Sequence, residues 1–238
     1  MASLVSGCPA PGYDPNWKSK AQRVLVLPLN LVAEMPEEVE DRAPRVDEIM
    51  LDYLSQRGKS VSTIGFRDAS AAWRASESDC RSAATKDCER FLRVAPFAAR
   101  HLRADHEYDV VIVPYLLLRG ARTNGYLASF DGVERPMKGY PAYGPYGYGP
   151  YGYGYPYGYG SYGFGGGRIR AVSLKVYGFS AEGKRLFDGI GGLDVVDQIE
   201  ASDEGYTSAV RENVLGESHE IQEGVARALS NFVPRPRD

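Results

Sequence analysis

The sequence has few of the residues from which catalytic and metal centres are usually built. It contains three histidines and three cysteines among 238 residues, and it lacks the H-E-x-x-H, C-x-x-C, P-loop and G-x-S-x-G motifs. It also lacks a run of about 20 apolar residues, the length of a membrane-spanning helix. The formal net charge is −3, which argues against a surface that binds nucleic acid through clustered Lys and Arg.

The three histidines do not form a recognisable metal site. His101 and His106 are five positions apart near a predicted helix end, a poor spacing for ligands of one ion, and His219 lies far along the chain. We therefore expect surface positions for His101 and His106 and predict no bound metal and no cofactor. The protein is predicted not to be an enzyme; the alternative is a small enzyme whose site is assembled from residues that the sequence does not pair.

Two other patterns near residue 190 have ordinary structural interpretations. Asp188, Asp194 and Asp197 are interpreted as a solvated acidic face rather than as a cation site. The segment GIGG at 189–192 has the composition of a phosphate-binding loop, but it follows a predicted antiparallel strand and does not open a helix. We interpret it as the turn that ends this strand.

Cys8 closes the segment VSGC, which resembles the bacterial lipobox. In that motif small residues precede a cysteine whose thiol receives the lipid, so we expect Cys8 to be acylated, including a palmitate-type chain, after removal of a signal peptide. Seven residues precede Cys8, fewer than the positive region and apolar stretch of a signal peptide need. A longer natural start, and an unmodified thiol on a cytosolic terminus, are alternatives that the sequence leaves open.

Cys80 and Cys88 are a candidate disulfide. If Cys8 is acylated, an even number of thiols remains, and the periplasm is oxidising. Eight residues of continuous helix span about 12 Å, whereas a disulfide needs Cα atoms within about 7 Å. The bond therefore requires a break in the intervening SAATKD segment.

Apolar patterning predicts an α/β fold. RVLVLPLNL at 23–31 is a continuous apolar run, typical of a strand covered on both faces, and Pro44 and Gly58 bracket a helix. The predicted strands are at 23–31, 60–64, 108–120 and 168–179, and RLFDGIGG at 185–192 is predicted to return as the second strand of a hairpin. The predicted helices are at 44–57, 69–84, 88–102 and 209–232.

Some of these elements carry finer predictions. Pro114 should bend its strand or cost it a partner, and TNGYLASF at 123–130 either continues that strand or pairs back on it. In RIRAVSLKVYGF the alternation predicts an antiparallel strand with one wet face. Gly183 in SAEGK supplies the positive φ of the following hairpin turn. For the helix at 88–102 the predicted buried residues are Phe91, Leu92, Ala95, Ala98 and Leu102.

The segment 139–167 is unlike the rest of the chain. Its 29 residues include ten Tyr, twelve Gly and four Pro and carry no charge. One interpretation is a disordered surface insertion, since little in it can offset the cost of ordering. The other is an adhesive arm that contacts sugars, a partner or itself through its phenol rings. The candidate binding residues are Tyr140, Tyr143, Tyr146, Tyr148, Tyr151, Tyr153, Tyr155, Tyr157, Tyr159 and Tyr162.

The predicted organisation is one α/β domain with a leader and a tail. Residues 1–21 form the lipobox-like leader and spacer, 22–232 the domain, interrupted by 139–167, and 233–238 the tail. The fold class is α/β, with a mixed sheet flanked by helices, an antiparallel hairpin, a C-terminal helix and a long disordered Tyr/Gly-rich insertion.

The order of these elements resembles a periplasmic α/β domain of bacterial lipoproteins. VLVLPL, LSQRGKSVSTI, YDVVIVPY and AEGKRLFDG are similar in pattern to the curli secretion channel lipoprotein, the N-terminal domain of the Tol–Pal translocation protein and the lipoprotein activator of peptidoglycan synthase. The resemblance covers about 22–232 as a pattern of elements, and the insertion departs from it. It implies a fold and a periplasmic compartment, and its members act as assembly factors or regulators.

We therefore predict an envelope-anchored lipoprotein that acts as a non-enzymatic assembly or regulatory factor. Pro9 follows Cys8 in place of the Asp that favours inner-membrane retention, so an outer-membrane lipoprotein facing the periplasm is expected. We expect its partner to be an envelope protein or a second copy of the chain. The lipid on Cys8 would attach it to the membrane, and no binding of nucleic acid is expected. The alternative is a carbohydrate-binding module that uses the Tyr-rich loop on peptidoglycan or surface polysaccharide.

Overall fold

The computed structural model describes residues 16–83, 91–124, 127–137, 169–202 and 205–234. The helices are α1 (Trp17–Lys20), α2 (Ala43–Gln56), α3 (Phe66–Ser82), α4 (Phe91–Leu102) and α5 (Ser218–Ala228), with a 3₁₀ helix at Glu37–Arg42. The strands are β1 (Arg23–Val26), β2 (Ser60–Thr63), β3 (Val110–Thr123), β4 (Leu127–Phe130), β5 (Val133–Pro136), β6 (Ile169–Ser180), β7 (Arg185–Val195), β8 (Asp197–Ser202) and β9 (Gly205–Val210). Among the described helices, none combines the length and the apolar character needed to cross a bilayer.

The main sheet is mixed, which confirms the predicted α/β class. β1 pairs in parallel with β2 on one side and with β3 on the other. β3 then pairs antiparallel with β6, and β6 with β7. The apolar run in β1 is covered on both faces, as its composition predicts, because Val24, Leu25 and Val26 are all buried.

Pro114 marks the point at which β3 loses β1 as a neighbour. The ladder between the two strands ends at Ile112, so the missing N–H of Pro114 interrupts no bond to β1. Asn30 continues the contact: its side chain accepts from the Leu116 N–H at 2.7 Å and donates to the Leu116 carbonyl at 3.1 Å. The predicted loss of a partner is confirmed.

The far end of β3 curls into a small half-barrel. The segment at 127–130 pairs back on β3 as β4, and β4 forms a hairpin with β5 around Asp131 and Gly132, both at positive φ. The hairpin tip reaches β7, where the Gly192 N–H donates to the Asp131 carbonyl at 3.3 Å. The enclosed apolar cluster comprises Ala121, Ala128, Phe130, Val133, Met137, Ile169, Ala171, Val195 and Ile199.

Helices cover both faces of the main sheet and complete a three-layer α/β domain. α2 and α5 supply Val46, Met50, Leu54, Ile221 and Val225 to the cluster on one face. α3 and α4 supply Ala72, Trp73, Val94, Ala95, Ala98, Ala99 and Leu102 to the cluster on the other. The cluster on the α2 and α5 face also includes two residues from outside the predicted range 22–232. Trp17 stacks on Phe232 with centroids 5.6 Å apart, and Val233 is buried.

Three expectations about individual elements were wrong. β6 has no wet face, because α4 and the β4–β5 hairpin cover its second side and bury Ala171, Ser173 and Phe179. The C-terminal helix starts at Ser218 rather than near Ala209, because 205–210 pairs with β8 as a strand. Leu92 is 41% exposed, because the buried stripe of α4 runs through Val94, Ala95, Ala98, Ala99 and Leu102 instead.

The prediction that 189–192 is a turn was also wrong. It lies inside β7 and pairs with β6, so it is not a strand-ending turn. Its glycines let α5 approach the strand at backbone contact: a Cβ on Gly191 would lie 2.0 Å from the Gly224 carbonyl oxygen, and a Cβ on Gly224 would lie 2.3 Å from that of Gly192. The absence of side chains at this crossing sets the distance between helix and sheet.

We expect Gly191→Ala to destabilise the protein by about 2 kcal/mol, because backbone cannot yield to the new methyl group as a flexible side chain would. The control is Gly65→Ala, since a Cβ on Gly65 would have its nearest neighbour at 3.9 Å. Gly65 is the N-cap of α3, where Ala is less favourable than Gly, so the effect of this control should stay below about 1 kcal/mol. Urea denaturation followed by circular dichroism measures both. Equal stability of the two variants would contradict the proposed crossing.

Candidate docking surface

Most of the residues proposed from sequence as lipid or binding sites are not described by the structure. Cys8, Cys88 and the ten tyrosines of 139–167 all lie outside the described residues, so their roles stay predictions. Cys80 is fully buried near the end of α3, 3.8 Å from the Arg93 carbonyl of α4, and is disulfide-bonded. Its partner lies outside the described residues, and the pairing with Cys88 stays a prediction as well.

The three aspartates near residue 190 are separated into three ion pairs. Asp188 accepts from the Lys175 ammonium at 2.6 Å, and Asp197 binds the Arg170 guanidinium at 2.8 Å. Asp194 is 1% exposed and accepts from Arg211 at 2.6 Å. Each carboxylate is thus neutralised by its own cation, and the described residues hold no group of three His, Cys, Asp or Glu side chains placed to bind a metal ion.

Asp194 has a structural task that its sequence position did not reveal. Besides Arg211, it accepts hydrogen bonds from the backbone N–H of Val195 and, at 2.7 Å, of Leu215. These bonds tie the loop between β9 and α5 to the end of β7. The carboxylate therefore fixes the start of the C-terminal helix against the sheet, rather than lying on a solvated face as predicted.

A cleft of about 900 Å³ lies beside the β4–β5 hairpin. Arg119, Arg122 and Arg227 line it, and so do three carboxylates, Asp131, Glu134 and Glu223. Arg119 lies 3.4 Å from Asp131, and Arg227 lies 3.6 Å from Glu223. Because cations and anions are equal in number and largely paired, the cleft selects neither sign of ligand.

On the opposite side of the sheet, five aromatic rings form a continuous cluster. Trp73 of α3 stacks on Phe91 of α4 with centroids 5.6 Å apart, and Phe91 lies 5.1 Å from Tyr177 of β6. Tyr177 stacks in turn on Tyr115 of β3 at 6.2 Å, and Phe179 completes the cluster. Burial, and then the neighbouring Tyr177, raise the pKa of Tyr115 to about 12, so this phenol stays neutral at physiological pH.

Two rings of this cluster, Trp73 and Phe91, line a groove along α3, which we call the aromatic groove. One half, of about 550 Å³, is lined by Leu31, Phe66, Arg67, Ser70, Trp73 and Arg74. The other half, of about 390 Å³, is lined by Leu31, Val32, Ala33, Glu34, Trp73, Glu77, Phe91 and Val94. Leu31 and Trp73 belong to both halves, so the two cavities adjoin.

Phe66 lies at the mouth of the groove and is 61% exposed. It is the first residue of α3, directly after Gly65. Exposing so large an apolar side chain at a cavity that Leu31 and Trp73 also line is unfavourable in water, and exposed apolar surface of this kind commonly marks interaction sites. The groove is therefore the strongest candidate for a functional site in the described part of the chain.

Sequence reasoning missed this groove although a signal was present. The dipeptides Phe66-Arg67 and Trp73-Arg74 repeat at a spacing of seven, which places both aromatic residues on one side of a helix and both arginines beside them. The predicted helix at 69–84 begins after Phe66 and Arg67, whereas α3 begins at Phe66, so the repeat was not assigned to one helix. The contributions of Tyr115 and Tyr177 to the aromatic cluster carry no such signal, because these two residues belong to strands that are far apart in the sequence.

Comparison with known proteins adds nothing to these observations: no family model, no curated protein and no solved structure matches the chain. The similarity to periplasmic lipoprotein domains therefore stays a prediction from the sequence pattern. The functional argument depends on the chain itself.

We expect Asp194→Asn to destabilise the protein by about 3 kcal/mol at pH 7, because it leaves the buried Arg211 without its counter-ion. The control is Asp188→Asn, whose carboxylate is 40% exposed, and its cost should be about 0.5 kcal/mol or less. Urea denaturation of both variants provides the comparison. A neutral Asp194→Asn would show that the pair does not hold the loop.

Proposed function

We propose that the protein is an envelope-anchored lipoprotein that acts as a non-enzymatic assembly or regulatory factor through protein–protein contacts in the periplasm. Cys8 would carry the lipid and attach the α/β domain to the outer membrane. The observation that supports the proposal most is the exposed Phe66 at the mouth of the aromatic groove. The pattern similarity to envelope lipoproteins that act as assembly factors supports it independently.

The chemistry of the groove favours binding over catalysis. Its charged residues Glu34, Arg67 and Arg74 are exposed, and the stacked rings of Trp73 and Phe91 line it together with aliphatic side chains. This arrangement can bury an apolar side chain and surround it with polar contacts. Interfaces between proteins have this anatomy, with aromatic and Arg residues contributing most of the binding energy.

The lipid anchor is tested by mass spectrometry of the N-terminal peptide, from protein purified out of its own membranes. We expect the peptide to begin at Cys8 and to carry a diacylglycerol and an acyl chain. A Cys8→Ala variant should lose the modification and appear in the soluble fraction. An unmodified peptide that begins at Met1 or Ala2 would contradict the anchor and with it the envelope location.

The contact surface is tested with a photoreactive phenylalanine analogue at position 66 of the full chain, irradiated in native membranes. We expect a discrete adduct with protein, because position 66 lies against the bound partner. The same analogue at Leu127, which is 37% exposed on β4, is the control and should give no such adduct. Absence of an adduct at 66, or equal adducts at both positions, would overturn the groove as a contact surface.

A further inference from the structure

The two halves of the aromatic groove carry opposite charge. Arg67 and Arg74 line the half near the start of α3, and both are exposed and form no ion pair with a described residue. Glu34 and Glu77 line the other half. Glu77 has a cation nearby, but Arg81 is 3.9 Å away and both side chains face solvent, so the pair is weak.

The dipole of α3 reinforces this separation. Its positive N-terminal end lies beside Arg67, and its negative C-terminal end lies beyond Glu77. The groove is therefore a polarised surface about 16 Å long between residues 66 and 77, at about 1.5 Å of rise per residue. A ligand that fits it has the opposite polarity along its own length.

A second copy of α3, running antiparallel, has that polarity. If a twofold axis passes near Ala72, Arg67 of each copy faces Glu77 of the other, and Arg74 faces Ser70. The same rotation directs Phe66 towards the half of the facing groove that Trp73 and Glu77 line. Antiparallel helix dipoles also attract each other, and a twofold interface requires this kind of self-complementarity.

We propose that the aromatic groove binds a second copy of this chain, through antiparallel contact of the two α3 helices around a twofold axis. The proposal rests on the proposed function, of which it names the first partner. Each copy would insert Phe66 into the groove of the other, and the two charged ends would fix the orientation. The contact is small, so the free domains should associate transiently, whereas anchoring on one membrane would raise their effective concentration.

Two charge-reversal variants test the pairing. In Arg67→Glu/Arg74→Glu both charged ends become acidic, and in Glu34→Lys/Glu77→Lys both become basic. We expect either variant alone to lose self-association by at least about tenfold, because like charges then face each other across the axis. An equimolar mixture should recover the association, because each acidic groove then faces a basic one.

Sedimentation equilibrium on the full chain, at up to about 1 mM protein, measures the three samples and the wild type. Lys18→Glu/Arg185→Glu lowers the net charge as much as Arg67→Glu/Arg74→Glu does, at exposed positions outside the groove, and it should associate within about twofold of the wild type. Circular dichroism confirms that each variant is folded. Phe66→Ala, which leaves all charges in place, should also weaken association by about tenfold.

Recovery in the mixture, with neither variant associating alone, would establish the antiparallel contact. A wild type that stays monomeric, variants that associate as the wild type does, or a mixture that stays monomeric would each overturn it. These results are distinct from failure of the proposed function. An adduct at position 66 with a different protein, from a chain that is monomeric, would retain the groove as a contact surface and exclude the second copy.

Discussion

The antiparallel ladder between β3 and β6 is the constraint on which the rest of the fold depends. It runs without a break from Val110 opposite Ser180 to Ala121 opposite Ile169. At one end of β3 the other edge pairs with β1, and at the other end it pairs with β4. One strand therefore belongs both to an open, helix-covered sheet and to a curled half-barrel. Pro114 lies between the two parts, where its missing N–H interrupts no hydrogen bond to β1 or to β4.

The two helical layers are attached to this sheet by different means. α5 lies at backbone contact on β7 through Gly191 and Gly224, and the buried pair of Asp194 and Arg211 fixes the loop that precedes it. α3 and α4 instead meet through small residues, among them Ala72, Ala95, Ala98 and Ala99, with large rings beside them. The aromatic groove thus lies on the face covered by α3 and α4 and not on the face that α5 contacts.

Features that depend on neighbouring residues were easier to predict from the sequence than features that depend on contacts between distant residues. The buried strand β1, the helix opened by Pro44 and the turn at Gly183 were predicted, because local composition and backbone preference decide them. The hairpin at Asp131 was missed although Asp-Gly is a strong hairpin signal. The predicted solvent-exposed face of β6 and the predicted burial of Leu92 were wrong because burial depends on which distant element covers a side chain. The aromatic groove escaped for the same reason.

The sequence by itself determined the alternation of helices and strands, the mixed α/β class and the unusual composition of 139–167, since these follow from periodicity and residue type. The spacing of seven between Phe66-Arg67 and Trp73-Arg74 is also in the sequence, but the helix predicted at 69–84 left the first pair outside, and the structure placed both pairs on α3. Only the tertiary structure decided that GIGG is a helix–strand crossing, that three aspartates belong to three ion pairs, and that opposite charges line the two halves of one groove. Those outcomes depend on contacts between residues far apart in the chain, and no local pattern encodes which distant surface will meet which.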